Sequence, residues 1–410
     1  MSAWLTVVGM GADGPDGLPP AARALIDNAE VLVGGERHLA LVDGLAARDR
    51  CEMIAWEFPL DVTMATIAEN HGRRVVVLAT GDPMAYGIGS TLARRFDPED
   101  LAIVPAPGAF SLAAARLAWP LDRCVCLTLH GRPIDLLAYH AQPGARLLIL
   151  SHDGSTPAKV AARLTVLGYG PSRMSVLQNM GAVDETRHDG SAEAWPAVDI
   201  ANLNTIAVDC IAGPSALVYS HAPGLPDEAF LHDGQLTKRV VRAGTLAALV
   251  SLPGQHLWDL GAGSGAVAIE WLRAAQNAQG RGASAVAVER DPARSARIAE
   301  NASRLGTPFL EIVTADIATA LPDLAPPDAV FIGGGLSTDG LIETAWQSLR
   351  PGGRLVANAV TLEGEQVLAG AHTAFGGNLS RIAVAHAKPV GARTGWRPAM
   401  AVTQWSVTKS

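Results

Sequence analysis

A glycine-rich turn set deep inside the chain, Trp258-Asp259-Leu260-Gly261-Ala262-Gly263-Ser264-Gly265, limits the possible architecture more than any other stretch. More than half of the chain precedes it, so at least one further folding unit must lie upstream. Residues 256–260 read as a short buried strand, the glycines allow backbone to approach a ligand closely, and residues 266–272 start an amphipathic helix. The glycine pattern alone is weak. Only Gly261 and Gly263 fit the dinucleotide fingerprint, and Ala266 stands at the third glycine position. The next strands strengthen it. Residues 284–289 read as a second strand ending in Glu289, an acid suited to ribose hydroxyls, and residues 311–316 as a third ending in Asp316. A fourth strand, 328–332, runs into Gly333-Gly334-Gly335. Acids at the ends of successive parallel strands converge on one sheet edge, where open α/β folds bind their ligands.

This set resembles the Rossmann-like class I of S-adenosylmethionine-dependent methyltransferases. The stretch from Asp259 to Gly265 is similar to their glycine motif, Glu289 to their ribose-binding acid, and Asp316 to the acid near their adenine. Residues 349–356, with the turn Pro351-Gly352-Gly353, resemble that class's turn and fifth strand. Residues 381–385 and 401–407 are expected to supply the last two strands, antiparallel at the edge of a seven-stranded sheet. A dehydrogenase-type dinucleotide domain shares the first two strands and the ribose acid. The Pro-Gly-Gly turn and the terminal hairpin pattern favour the methyltransferase.

Composition narrows the class. A chain of 410 residues suggests two or three ordinary domains, each long enough to bury its own core. Hydrophobic residues make up 49%, yet no apolar run is long enough to cross a bilayer, and the first residues lack the charged start of a signal peptide. The expectation is a cytoplasmic protein without a membrane partner. Cys51, Cys124, Cys126 and Cys210 are too few and scattered for a disulfide framework, and Cys124-Val125-Cys126 lacks the second half of a zinc site. Reduced thiols and no metal are therefore expected. The net charge of -8 argues against nucleic acid as a partner. Lysine is scarce and arginine abundant, a balance that suits fork-like carboxylate recognition or equally reflects genomic base composition.

The first half has its own order of strands and glycine turns. Residues 4–11 are a buried strand running into a turn, Pro19-Pro20 opens a helix over 21–28, and residues 31–33 lead into Gly34-Gly35. Residues 73–78 form a third strand, followed by Gly81-Asp82-Pro83 and Tyr86-Gly87. Residues 101–104 precede Pro107-Gly108 and Ser111, after which a helix is expected. Parallel strands ending in Gly, Pro and small residues imply a ligand held by backbone groups.

In order and spacing this half resembles the tetrapyrrole methylase family, over roughly residues 3 to 215. Residues 7–11 are similar to its opening motif, Gly81-Asp82-Pro83 with Tyr86-Gly87 to its Gly-Asp-Pro motif, Pro107-Gly108 with Ser111 to its third, and 148–160 to its later strand-loop-helix with Thr156-Pro157. Residues 34–39 and 178–185 resemble the branch that methylates the precorrin ring at C5. In the second half, 227–230 and 236–242 are similar to the entry segment of the decarboxylating precorrin C15-methyltransferases, whose other motifs resemble Ile332-Gly333-Gly334 and Asn358-Ala359-Val360. The whole resembles the fused, decarboxylating precorrin-6B (precorrin-6Y) C5,15-methyltransferase family.

That resemblance implies an α/β chain. A tetrapyrrole methylase fold of two α/β subdomains would occupy 1–212, a linker 213–226, and a class I methyltransferase 227–410. It implies two methylations of precorrin-6B at C5 and C15, and loss of the ring C acetate carboxyl, giving precorrin-8 in cobalamin synthesis. The implied cofactor is S-adenosylmethionine, bound near Gly9, Gly81, Asp82, Pro83, Pro107 and Gly108 in the first half, and near Asp259, Gly261, Gly263, Gly265, Glu289 and Asp316 in the second. It also implies a small-molecule precorrin substrate and a homo-oligomer assembled through the C-terminal half. The competing reading is a small-molecule or RNA methyltransferase fused to a non-catalytic tetrapyrrole-binding domain.

Several residues keep two readings. Lys238 and Arg239 either contact a substrate carboxylate or cofactor, and are then the catalytic candidates, or sit on a solvated helix face. Asp82 contacts ligand or caps the following helix, and Asp316 faces adenine or forms a turn. His38, His130 and His152 lack metal-ligand spacing and read as surface or packing residues. Arg393 and Arg397 hold a substrate carboxylate or belong to a solvated hairpin.

Overall fold

The computed structural model describes residues 3–42, 51–276 and 282–410. The chain divides into two compact units. The first comprises Met1–Arg132, Gly144–Thr165 and Gly170–Ile211, and the second Pro133–Pro143, Val166–Tyr169 and Ala212–Ser410.

Among the described residues the first unit carries two five-stranded sheets. One contains β1 (Leu5–Met10), β2 (Val31–Gly34), β3 (Glu52–Ala55), β4 (Val75–Thr80) and β5 (Leu101–Val104), in the order β3-β2-β4-β1-β5. All its pairings are parallel. The central β4, except at its last residue, and its neighbour β1 are buried along their length, as parallel strands covered on both faces must be. Two sequence expectations need correction, and β3 has no counterpart among the expected strands, since it is four residues long and forms only by pairing at the sheet edge. The strand expected over 73–78 begins at Val75, because Arg73 and Arg74 turn outward to Glu52 and Glu30. The helix expected after Ser111 starts earlier, as Ala109–Leu117.

The other sheet contains β6 (Cys124–Thr128), β7 (Arg146–Leu150), β8 (Arg173–Gln178), β9 (Thr186–Ser191) and β10 (Asn204–Asp209), ordered β6-β7-β10-β8-β9. Leu148, Leu177 and Ala207 of this sheet form one apolar cluster with Phe110, Ala113 and Ala114 of the helix Ala109–Leu117. Tyr86, from the loop after β4, joins that cluster and donates its hydroxyl hydrogen to the Cys126 carbonyl at 2.9 Å.

The second unit is built on a seven-stranded sheet: β11 (His256–Leu260), β12 (Ser284–Glu289), β13 (Glu311–Thr314), β14 (Ala329–Ile332), β15 (Arg354–Ala359), β16 (Asn378–Ile382) and β19 (Val402–Thr408), ordered β13-β12-β11-β14-β15-β19-β16. The first five run parallel, and β19 is antiparallel to both β15 and β16. Between β16 and β19 the chain makes a separate two-stranded ribbon, β17 (Ala385–Val390) with β18 (Arg393–Pro398). Arg393 and Arg397 lie on this solvated hairpin.

The helix expected to be amphipathic after the glycine turn, Ala266–Ala275, is buried on all sides except at Ala274. Packing between the helices Arg239–Leu249 and Pro292–Leu305 and against β11 and β12 explains the difference. The stretch 213–226 contains no helix or strand, yet Leu225 is buried in the core of this unit, and Glu270 accepts hydrogen bonds from its N–H and that of Gly224. Tyr139 also belongs here: it stacks on His221 with ring centroids 3.9 Å apart and donates to the Gln276 carbonyl at 3.2 Å. Among the described residues no helix is long and apolar enough to cross a membrane.

Candidate functional site

Because the first sheet is wholly parallel, the carboxyl ends of its strands share one edge, where Gly9, Gly34-Gly35, Thr80-Gly81 and Pro107-Gly108 gather. Three of these turns interlock through backbone. The Gly81 N–H donates to the Met10 carbonyl at 2.8 Å, and its carbonyl accepts from Ala106 at 3.2 Å. A Cβ on Gly9 would collide with the Gly81 carbonyl oxygen, and one on Gly81, where φ is +56°, would lie 2.9 Å from Gly108 Cα. Only glycine allows so close an approach with that backbone angle. Pro83 is buried beneath the loop, and Asp82 accepts the Met84 N–H at 2.9 Å. The next helix, Ile88–Leu92, starts too far along for Asp82 to cap it, so the capping alternative does not hold.

Two further motifs of this unit hold hydrogen-bonded turns. In 178–185, Glu185 accepts from Arg116 Nε at 2.6 Å, Arg116 Nη2 at 2.9 Å and the Gly181 N–H at 2.7 Å. The hydrogen bonds from Arg116 lead the causes that hold its carboxyl below the usual range. Ahead of the helix Thr156–Val166, Asp153 accepts from the Ser155 hydroxyl and N–H and from Thr156, which brings its pKa down to about 2. His130 and His152 stand with ring centroids 5.0 Å apart, both exposed. Among the described residues no group of three or more His, Cys, Asp or Glu side chains could hold a metal.

The edge of the second sheet is constructed differently, with carboxylates tying down the glycine turn. Gly261, Gly263 and Gly265 all have positive φ, and each packs against a different neighbour. A Cβ would meet Gly334 backbone at 2.8 Å, the Gln235 carbonyl at 3.0 Å and the Ile298 side chain at 2.7 Å, respectively. Glu289, buried at the end of β12, accepts from the Gly263 N–H at 2.9 Å and the Asp291 N–H at 3.1 Å. Asp259, with 0% exposure, accepts from the Ala268 N–H at 3.0 Å through Oδ2, while Oδ1 has no partner. Burial, with a contribution from neighbouring Glu289, pushes its pKa up to about 7. Asp316 lies two residues beyond β13, exposed and without a side-chain capping bond.

Lys238 and Arg239 are exposed at the start of the helix Arg239–Leu249. The buried cation of that segment is Arg242, which lies within the 236–242 motif but takes no role from the sequence alone. Its guanidinium has 0% exposure and bonds Glu270 at 2.5 Å, Asp227 at 3.0 Å and the Leu225 and Thr237 carbonyls, with the Phe230 ring 4.9 Å away. Glu270 inside the apolar run 266–272 was the available signal, since a charge there demands a buried partner. Asp233, in the loop before this helix, pairs with Arg294 and Arg297, and those pairings hold its carboxyl far below the usual range.

Residues 5–195 match the model of the tetrapyrrole (corrin/porphyrin) methylases, and residues 228–409 match that of the precorrin methyltransferase domain. A precorrin-6Y C(5,15)-methyltransferase [decarboxylating] of Sinorhizobium sp is 45% identical over 409 residues, covering 100% of this chain and 97% of that one. The chain belongs to the precorrin-6Y C5,15-methyltransferase family. A cobalt-precorrin-7 C(5)-methyltransferase of Salmonella typhimurium is 31% identical over 186 residues, covering 45% of this chain and 89% of its own. Among solved structures, the C-terminal domain of precorrin-6Y C5,15-methyltransferase from Rhodobacter capsulatus is 43% identical, covers 47% of this chain and 100% of its own, and superimposes with a TM-score of 0.43.

Members of such a family use S-adenosylmethionine, and both edges fit it by their own chemistry. The first offers closely packed backbone beside a Gly-Asp-Pro turn, and the second offers a buried, partnerless carboxyl oxygen on Asp259 beside a glycine turn. Beyond the sequence-predicted residues, the second edge holds a polar network at the end of β15. Asn358 donates to Thr245 Oγ1 at 2.9 Å, and Gln404 donates to Thr245 Oγ1 and Asn358 Oδ1, each at 3.0 Å. Asn358 is visible in the sequence only as part of a motif, and Thr245 and Gln404 carry no sequence signal.

Proposed function

We propose that the chain is a bifunctional methyltransferase that methylates precorrin-6B at C5 and C15 and removes the ring C acetate carboxyl, giving precorrin-8 in cobalamin synthesis. The observation that carries this reading is the presence, in one chain, of two separately constructed parallel-sheet edges, each lined by glycine turns and each lying within its own family match. Residues 1–212 are assigned C5 methylation, 227–410 C15 methylation and decarboxylation, and 213–226 the connection.

S-adenosylmethionine supplies an activated methyl group on a sulfonium, and the nucleophile is a ring carbon of the substrate. The protein's work is therefore alignment and exclusion of water. In the first unit Gly9, Gly81, Asp82, Pro83, Pro107 and Gly108 are assigned to the cofactor. In the second unit the assigned residues are Gly261, Gly263, Gly265, Glu289 and Asp316, with Asp259 beneath the turn. Lys238 and Arg239, exposed at a helix start, are assigned to substrate carboxylates. Decarboxylation leaves an electron pair that the conjugated macrocycle takes up, so the acetate must be free of any clamp that stabilises its charge.

We also assign the protein to the cytoplasm, in keeping with its four free thiols, and to a homo-oligomer formed through the C-terminal half. The ribbon β17–β18 supports assembly: among the described residues it pairs only with itself, and it holds Trp396 77% exposed.

Incubation of the full chain with S-adenosylmethionine and precorrin-6B, followed by mass spectrometry, tests the reading. The expected product has gained two methyl groups and lost one carbon dioxide. A product with only the C15 changes would make the first unit a binding module, and an unmodified precorrin would end the proposal.

A further inference from the structure

At the glycine-lined edge of the first unit, Arg37 has no carboxylate partner among the described residues. It follows β2 in the helix Glu36–Leu41, and its Nη2 donates to Thr80 Oγ1 at 2.9 Å, on the residue directly before Gly81. His38 Nε2 lies 2.9 Å from the same hydroxyl and 3.4 Å from Arg37 Nη2. Burial, then the neighbouring guanidinium, lower the His38 pKa to about 4, so the ring is neutral near pH 7. An Arg nitrogen only donates, so the proton arrangement that fits all three contacts has Arg37 donating to Thr80 and the Thr80 hydroxyl donating to Nε2, with His38 Nδ1 left buried without a partner. This chain fixes the guanidinium on the flank of the Gly-Asp-Pro turn. Partial burial also lowers the Arg37 pKa, although the residue as a whole stays exposed.

The guanidinium stands exposed at this edge without an anion, and its free N–H fork matches a carboxylate. In a chain of net charge -8, such a local cation is also what a polycarboxylate needs in order to settle at this edge. In the sheet order β3-β2-β4-β1-β5, the cofactor turns follow β4, β1 and β5, whereas Arg37 follows β2, on the side of β4 away from β1 and β5. We propose that Arg37 binds a peripheral carboxylate of the tetrapyrrole undergoing methylation in the first unit, with Thr80 and His38 as positioning residues. This rests on the precorrin reading above.

The test uses the full chain with precorrin-6B as the varied substrate at saturating S-adenosylmethionine, reading C5 methylation, together with calorimetric titration of S-adenosylmethionine alone. Arg37→Met is expected to raise KM for the tetrapyrrole on the order of 10- to 100-fold, the loss for a charge-assisted hydrogen bond, while cofactor affinity stays within about twofold. Arg37→Lys should lose less, and Thr80→Val, which keeps the charge but removes its anchor, should shift KM in the same direction by a smaller factor. Thr80→Val also keeps the proposal testable if Arg37→Met fails to fold. An unchanged KM overturns the proposal, and so does a parallel loss of S-adenosylmethionine affinity, which would assign the guanidinium to the cofactor's own carboxylate. If the wild-type chain transfers no methyl group to precorrin-6B, the functional reading fails; a wild-type chain that does so beside an unaffected Arg37→Met variant sinks only this inference.

Discussion

In the first unit the glycine turns brace one another through backbone: Gly81 hydrogen-bonds to the end of β1 and to the loop after β5, while the Asp82 carboxylate bonds only within its own turn, at the Met84 N–H. In the second unit the turn hangs from carboxylates, with Glu289 bonding Gly263, Asp259 bonding Ala268, and Asp233 pinned by Arg294 and Arg297. The frames differ likewise. Arg242 and Glu270 form a fully buried ion pair in the second unit, whereas Arg73–Glu52 and Arg95–Asp61 in the first lie at the surface. One sheet edge is thus held by steric fit of backbone and the other by buried charge, so the two should fail under different perturbations.

Substitution at the interlocked turn gives the largest contrast. Gly81→Val places a branched side chain at positive φ against Gly108 and should abolish C5 methylation, while the product still gains the C15 methyl group and loses its carboxyl by mass spectrometry. Recovery of the doubly methylated product at wild-type rate would remove the loop from the site.

The ion pairs offer the next contrast. Arg242→Met leaves Glu270 buried without its partner and should cost about 3–5 kcal/mol in urea unfolding of the second unit. Arg73→Ala in the first unit should cost less than about 1 kcal/mol. Similar losses for both would erase the distinction between the frames.

Glu289→Ala comes third, with an expected loss of about 1.5–3 kcal/mol in cofactor binding at the second site only, seen by calorimetry as one weakened site of two. Because Glu289 also bonds Gly263 and Asp291, part of this loss reflects a loosened turn. Equal loss of both methylations would show that the two edges act as one.

The last contrast is in pH dependence. The Asp259 pKa is raised to about 7 in the fold, so between its unfolded value of 3.8 and that pH the folded state keeps a proton the unfolded chain has released. Its contribution to stability is therefore intact below 3.8 and is lost as pH rises through about 7. Asp259→Asn should flatten that part of the unfolding midpoint against pH, and an unaltered profile would show that Asp259 does not titrate in this window.

How much of the molecule was legible in its sequence depended on the range of the interaction involved. β12 occupies the expected residues 284–289, and the α/β class and seven-stranded sheet agree with expectation, because apolar runs and glycine turns are local signals, whereas the edge strand expected over 381–385 forms as Asn378–Ile382. β3 was illegible, since its four residues become a strand only by pairing with β2. The glycines at 261, 263 and 265 were visible as a turn, but the neighbours they touch were not.

By itself, the sequence determined the strand-turn-helix units, the two successive glycine-lined regions and the family resemblance, all of which depend on residue type and spacing along the chain. Only the tertiary structure decided that Arg242 is a buried strut, that the helix Ala266–Ala275 is enclosed, that β19 inserts between β15 and β16, and that Arg37 and Thr80 meet. These facts concern burial and partners brought together from distant positions, and a side chain's neighbours are fixed by how the elements pack rather than by the residues beside it in the chain.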